Sequence, residues 1–70
     1  MDPRDAALAV LAGAGGEALH WTVIWDRALR TGSIDPLVDP GARDALLRAL
    51  AAMARDGTID RTSTGTYRLP

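Results

Sequence analysis

Three stretches of the chain carry apolar residues at helical spacing, and a fourth alternates apolar with polar residues. The first stretch opens with Asp2 and Pro3; Asp commonly caps the first turn of a helix, and Pro fits its first position. A cluster of glycines from residue 13 onward then favours an ending. We therefore predict a helix over residues 3–13. Apolar residues recur along it at helical spacing, three or four residues before or after Leu11: Ala7, Leu8 and, just past its end, Ala14.

The second and third stretches predict two more helices. Residues 21–31 place Trp21, Ile24 and Trp25 on one stripe, and Gly32 is a suitable stop. Residues 17–20, just before, are a short extended segment. A second Asp-Pro start at 39–40 and a stop at Gly57 predict the third helix over residues 40–56. The positions of the third helix expected to face the core are Leu46, Ala49, Leu50 and Met53.

The last stretch, residues 58–69, predicts a β-hairpin around a Ser-Thr-Gly turn at 63–65. Side chains alternate between the faces of a strand, so Tyr67 and Leu69 share one face, and Ile59 is expected to face inward with them. An isolated hairpin is only marginally stable, so this face should pack on the helices. The predicted fold class is mostly α with a small β-hairpin. The order of elements is that of a winged helix-turn-helix, with three helices, a short strand and a C-terminal β-wing in a single domain of residues 1–70.

Composition narrows the classes of function. The chain has no cysteine, its eight basic residues are all arginine, and its formal net charge is −1. Disulfides and thiolate zinc sites are therefore excluded, and no apolar run approaches the length of a membrane span. We expect a cytoplasmic protein without membrane association, cofactor or small-molecule substrate. The negative total argues mildly against non-specific DNA binding, so a nucleic-acid site would need local clustering of arginine.

Several segments together resemble a known family. They are Glu17 to His20, Ile24-Trp25, Ala28-Leu29, Gly32, Ile34, Leu46, Leu50, Gly57 to Arg61 and Gly65 to Leu69. Over nearly its whole length the chain resembles the HARE helix-turn-helix family, a module shared by certain homeobox proteins, Asx-like chromatin proteins and restriction endonucleases. The resemblance implies a winged-helix fold and an accessory or regulatory DNA-binding role. A related domain in the delta subunit of bacterial RNA polymerase instead contacts protein. The matching positions are mostly apolar or glycine, so they specify fold better than function.

The third helix supplies the first candidate contacts to DNA. In helix-turn-helix proteins the second helix of the motif enters the major groove. By that analogy Arg43, Arg48 and Arg55 could reach phosphates or guanine edges. The alternative for each arginine alone is a solvated helix face, on which Asp44 pairs with Arg48 and Arg55 suits the helix C-terminus.

The hairpin supplies the second set of candidate contacts. Arginine, hydroxyl groups and backbone N–H groups are the usual partners of phosphate. Ser, Thr and Gly are also simply good turn formers, and Asp60 reduces the local positive charge. The wing residues predicted to contact DNA are Arg61, Thr62, Ser63, Thr64 and Arg68.

Catalysis is not expected. His20 is the only histidine and has neither a thiol nor a carboxylate pair near it in sequence, so it should cap or flank the second helix rather than bind a metal. No catalytic residue and no metal ligand is predicted. Trp25 is expected in the core, and Trp21 is expected to be partly exposed.

Two hypotheses about function remain from the sequence. The first is a winged helix that binds duplex DNA through the third helix and the wing. The second is a protein–protein interaction or homodimerisation module on the same scaffold, for example one that docks to transcription machinery. The acidic net charge, the Asp residues among the arginines and the Ala-rich helices favour the second.

Overall fold

The computed structural model describes all 70 residues as three helices and a three-stranded antiparallel sheet. The elements in chain order are α1 Pro3–Gly13, β1 Leu19–His20, α2 Trp21–Arg30, α3 Ala42–Asp56, β2 Asp60–Ser63 and β3 Thr66–Arg68. The predicted number, type and order of elements are confirmed. The helices pack on one another, and the sheet lies at one side of the domain with α2 following directly from β1.

The start of α1 follows the predicted capping. Asp2 has extended backbone and its Oδ1 accepts a hydrogen bond from the Asp5 N–H at 2.8 Å, with Pro3 as the first helical residue. The helix buries Ala6, Ala7 and Leu11 completely. Two small alanines on this face allow α1 to approach α3 closely.

The start of α3 differs from the prediction. Asp39 Oδ1 accepts the Gly41 N–H at 3.0 Å, which closes a local turn instead of capping a helix. The helix therefore begins at Ala42, two residues later than predicted, with Gly41 at the cap and no side-chain cap bond. It ends as predicted at Gly57, which adopts a left-handed φ of 84°. The other helix ends differ from prediction by at most one residue, because α2 ends at Arg30 rather than 31.

The sheet has the order β1-β3-β2, so β3 is its central strand. Tyr67 of β3 lies opposite Leu19 of β1 and opposite Arg61 of β2. A register shift between Arg61 and Ser63 marks a β-bulge just before the turn. The short turn between β2 and β3 makes these strands neighbours. The other edge of β3 is then available to pair with the short β1.

The core is formed by all three helices, the α2–α3 connection and the sheet, and no polar or charged side chain is buried in it. Ile59 and Tyr67 attach the hairpin to the helices as predicted, with 1% and 7% of their surfaces exposed, and Leu69 packs against the same cluster. The expectation for Trp25 needs correction: it is only partly buried and packs at the edge of the core. Trp21 is partly exposed, as predicted. The largest fully buried side chains are Leu11, Ile24, Leu46, Leu50, Met53 and Ile59.

Candidate nucleic-acid interface

One exposed stripe of α3 carries two of its three arginines. Arg48 and Arg55 are seven residues apart, so at about 100° per residue they lie about 20° apart around the helix and about 10 Å apart along it. Arg43 precedes Arg48 by five residues, which turns it about 140° away. It lies instead beside Trp25 and Pro40, in a shallow depression of about 270 Å³. The structure thus separates Arg43 from the other two predicted contacts.

The first strand of the hairpin adds a third arginine to this side of the molecule. Arg61 is paired in register with the buried Tyr67, and side chains paired in register share a face of the sheet. That face is turned toward α3. A shallow cavity of about 350 Å³, which we call the wing hollow, lies there and is lined by Ala51, Ala54, Arg55, Arg61 and Tyr67. Arg55 of α3 and Arg61 of β2, both predicted DNA contacts, therefore lie at the same depression.

These three arginines have no acidic partner within the chain. The ion pairs of the structure are Arg4–Asp56 at 3.6 Å, Arg30–Asp26 at 3.0 Å and Arg68–Asp60 at 3.8 Å. The surface formed by Arg48, Arg55 and Arg61, which we call the arginine face, takes part in none of them. The pair between Asp44 and Arg48 that the alternative interpretation allowed does not form.

Arg68 is separated from the arginine face by the alternation of β3. It stands opposite Asp60 in the register, and its Nε lies 3.8 Å from Asp60 Oδ2. Both side chains are on the sheet face opposite to that of Tyr67 and Arg61. The pair brings two charges of opposite sign together away from the arginine face, so Arg68 is not grouped with the other predicted contacts.

Three hydroxyl groups lie at the tip of the wing. Thr62, Ser63 and Thr64 are all exposed, and none of their side chains forms a hydrogen bond within the chain. They lie at the β-bulge and in the turn that Gly65 closes with a left-handed φ of 75°. Their side chains are therefore free to bond an external acceptor such as a phosphate oxygen.

The base of the wing is fixed by a cluster that sequence reasoning missed. Thr58 donates its backbone N–H to Asp56 Oδ1 at 2.9 Å and its hydroxyl to the same oxygen. Arg4 of α1 approaches both Asp56 and Thr58. The two bonds from Thr58, aided by the Arg4 charge, hold the pKa of Asp56 below its ordinary value of 3.8. The Asp-x-Thr spacing could have suggested the local turn, whereas the approach of Arg4 depends on tertiary packing.

The tip of the wing is held against the start of α2. The Trp21 N–H donates to the Gly65 carbonyl at 2.7 Å. His20 caps α2, as predicted: its Nδ1 accepts the Thr22 N–H at 3.3 Å and lies 2.8 Å from the Thr22 hydroxyl. A Cβ atom built on Gly65 would lie 3.1 Å from both the His20 and Trp21 rings. The position of the wing thus depends on contacts at both of its ends.

Comparisons with protein families, with curated proteins and with solved structures give no significant match to this chain. The resemblance to the HARE family therefore stays a prediction, and the functional argument rests on the residues themselves. No helix combines the length and apolar character needed to cross a bilayer. No group of three His, Asp or Glu side chains is arranged to hold a metal ion.

Proposed function

We propose that the protein is a DNA-binding winged-helix module that contacts duplex DNA through the arginine face and the wing tip. The observation that carries the proposal is the meeting of Arg55 and Arg61 at the wing hollow, with Arg48 on the same stripe of α3 and no acid paired to any of the three. A net charge of −1 does not oppose it, because the two acids nearest the wing, Asp56 and Asp60, are each engaged by another arginine.

The arrangement of elements supports the same proposal. In a helix-turn-helix the second helix of the motif reads the groove while the first crosses the backbone, and here these are α3 and α2. The arginine face occupies the C-terminal half of α3 and continues onto β2. Asp44, at the N-terminal end of the stripe, limits the proposed contact to the region from Arg48 onward. The exposed hydroxyls at 62–64 extend it to the wing tip.

Salt-dependent titration of a labelled duplex tests the proposal. Three phosphate contacts predict a slope of roughly −2.7 in a plot of log Kobs against log salt concentration. Arg61→Ala should weaken binding to all sequences and reduce the slope by about 1, and Arg48→Ala and Arg55→Ala should do the same. Arg27→Ala is the matched control: Arg27 is exposed, forms no ion pair and lies on the α1 side of α2. Absence of binding at low salt, or equal losses for Arg27→Ala and Arg61→Ala, would contradict the proposal.

A second candidate function is a protein-interaction module, favoured by one specific observation. The α2–α3 connection exposes Leu37 and Val38, with 93% and 81% of their surfaces accessible. Two adjacent large apolar side chains that are almost fully solvated are more typical of a contact surface than of a passive loop. The surface lies at the other end of α3 from the wing hollow, so Leu37 and Val38 are not part of the arginine face.

A further inference from the structure

We infer that the connection between α2 and α3 docks into the wing hollow of a second copy of this chain. Residues 35–39, which we call the acidic loop, carry Leu37 and Val38 between Asp35 and Asp39. The proposal concerns self-association and does not depend on DNA binding.

The acidic loop is a preformed projection. Asp35 Oδ1 accepts the Leu37 N–H at 2.9 Å, and the Asp35 carbonyl accepts the N–H groups of Val38 and Asp39 at 3.2 and 3.0 Å. These bonds fix the backbone while leaving the Leu37 side chain 93% exposed. Little conformational freedom is therefore lost by the loop backbone when it binds, which favours association.

The charges of the acidic loop complement those of the wing hollow. Asp35 and Asp39 each use only Oδ1 within the chain, so their Oδ2 atoms are available to a partner. The wing hollow offers Arg55 and Arg61, neither of them in an ion pair, around an apolar floor. An apolar tip flanked by two carboxylates thus matches an apolar depression flanked by two guanidinium groups. A guanidinium group can bind a carboxylate through two parallel N–H···O hydrogen bonds. Arg43 lies beside the acidic loop but pairs with neither carboxylate.

The two surfaces cannot meet within one chain. The acidic loop precedes Ala42, whereas the wing hollow begins at Ala51, about 14 Å further along the rigid α3 helix. Contact therefore requires a second molecule. Two copies that exchange loops reciprocally close into a two-fold dimer, whereas a head-to-tail contact leaves one loop and one hollow free on the growing assembly. The predicted assembly is concentration-dependent, and its limiting mass distinguishes the closed dimer from the open chain.

Sedimentation of the whole chain and of two complementary variants tests the inference. The mass of the wild-type protein should rise above the 7.4 kDa of one chain as concentration increases, and should return to it at high salt. Leu37→Asp removes the loop tip but keeps the hollow; Arg61→Glu alters the hollow but keeps the loop. Each variant alone should associate at least about tenfold more weakly than wild type. Mixed in equal amounts, the two should form a 1:1 heterodimer that grows no further, since each contributes its one intact surface.

Val23→Asp is the matched control, because Val23 is an exposed apolar residue on α2 and the change in charge is the same as in Leu37→Asp. It should associate like wild type. A wild-type chain that stays monomeric at millimolar concentration, a Leu37→Asp variant that associates normally, or a mixture without heterodimer would overturn the inference. At concentrations too low for self-association, Leu37→Asp should bind duplex DNA as wild type does; at higher concentrations DNA should compete with self-association for Arg55 and Arg61. Failure of self-association therefore leaves the DNA proposal standing, and loss of DNA binding leaves the heterodimer test intact.

Discussion

Replacing Gly65 by alanine tests whether the wing tip is held by the start of α2. Gly65 has a φ of 75°, and a Cβ there would lie 3.1 Å from His20 Nε2 and from Trp21 Cδ1. Gly57 is the matched control, because its φ of 84° is similar but nothing lies within 4 Å of its Cβ position. Both substitutions force an alanine into the left-handed region, at a cost of about 1–2 kcal/mol each. Only Gly65→Ala also displaces a neighbouring ring.

The additional cost at Gly65 follows from what the His20 ring does. Its Nδ1 caps α2 through the Thr22 N–H, and loss of a capping bond typically costs about 1 kcal/mol. Gly65→Ala should therefore lower the free energy of unfolding by about 2–3 kcal/mol in total, or about 1 kcal/mol more than Gly57→Ala. Urea unfolding followed by tryptophan fluorescence and by far-ultraviolet circular dichroism measures the difference.

A double-mutant cycle isolates the contact with the ring. In a His20→Ala background the capping bond is already absent and only the Trp21 ring still crowds residue 65, so Gly65→Ala should cost about 1 kcal/mol less than in the wild-type protein. Equal losses for Gly57→Ala and Gly65→Ala, together with strict additivity in the cycle, would refute the close packing of the wing tip on His20.

Two further predictions concern the ends of the helices. The pKa of Asp56 is lower in the folded chain than its ordinary value of 3.8. The stability that its charge contributes is therefore present above pH 4 and is lost as pH falls through the folded-state pKa. Asp56→Asn should flatten this part of an acid-unfolding profile, and an unchanged profile would count against the Asp56–Thr58 bonds. His20→Ala should lower the free energy of unfolding by about 1 kcal/mol, whereas His20→Asn should restore most of it because Asn is a good capping residue; urea unfolding of both variants checks this, and equal losses would argue against the cap.

Local signals predicted most of the secondary structure. Asp2 with Pro3, and Gly57 in its left-handed conformation, act within a single turn of chain, so their meaning could be read from the sequence. Asp39 with Pro40 looked like the same signal as Asp2 with Pro3. It instead closes a turn on Gly41, because the same carboxylate can bond either a helical or a turn N–H group and the tertiary path of the chain decides between them.

The candidate site could be predicted only in part, because its grouping is set by tertiary contacts. Arg48 and Arg55 share a stripe by helical periodicity alone. The register of β2 with β3 places Arg61 opposite Tyr67 and Arg68 opposite Asp60. This register brings Arg61 to the arginine face and keeps Arg68 away from it. A bulge in β2 shifts that register, and nothing in the residue pattern located it. The pairing of β1 with β3 is likewise a non-local contact.

The location of the DNA contact is the central claim, and an NMR titration of the isotope-labelled chain with a short duplex tests it most directly. We predict, for the Leu37→Asp chain, which lacks the loop contact between copies, that the largest amide shift changes at low salt fall in residues 48–55 and 61–65, that residues 35–39 are little affected, and that added salt reverses the changes. Largest changes in residues 35–39, or no changes at low salt, would contradict the assignment of the arginine face as the DNA-binding surface.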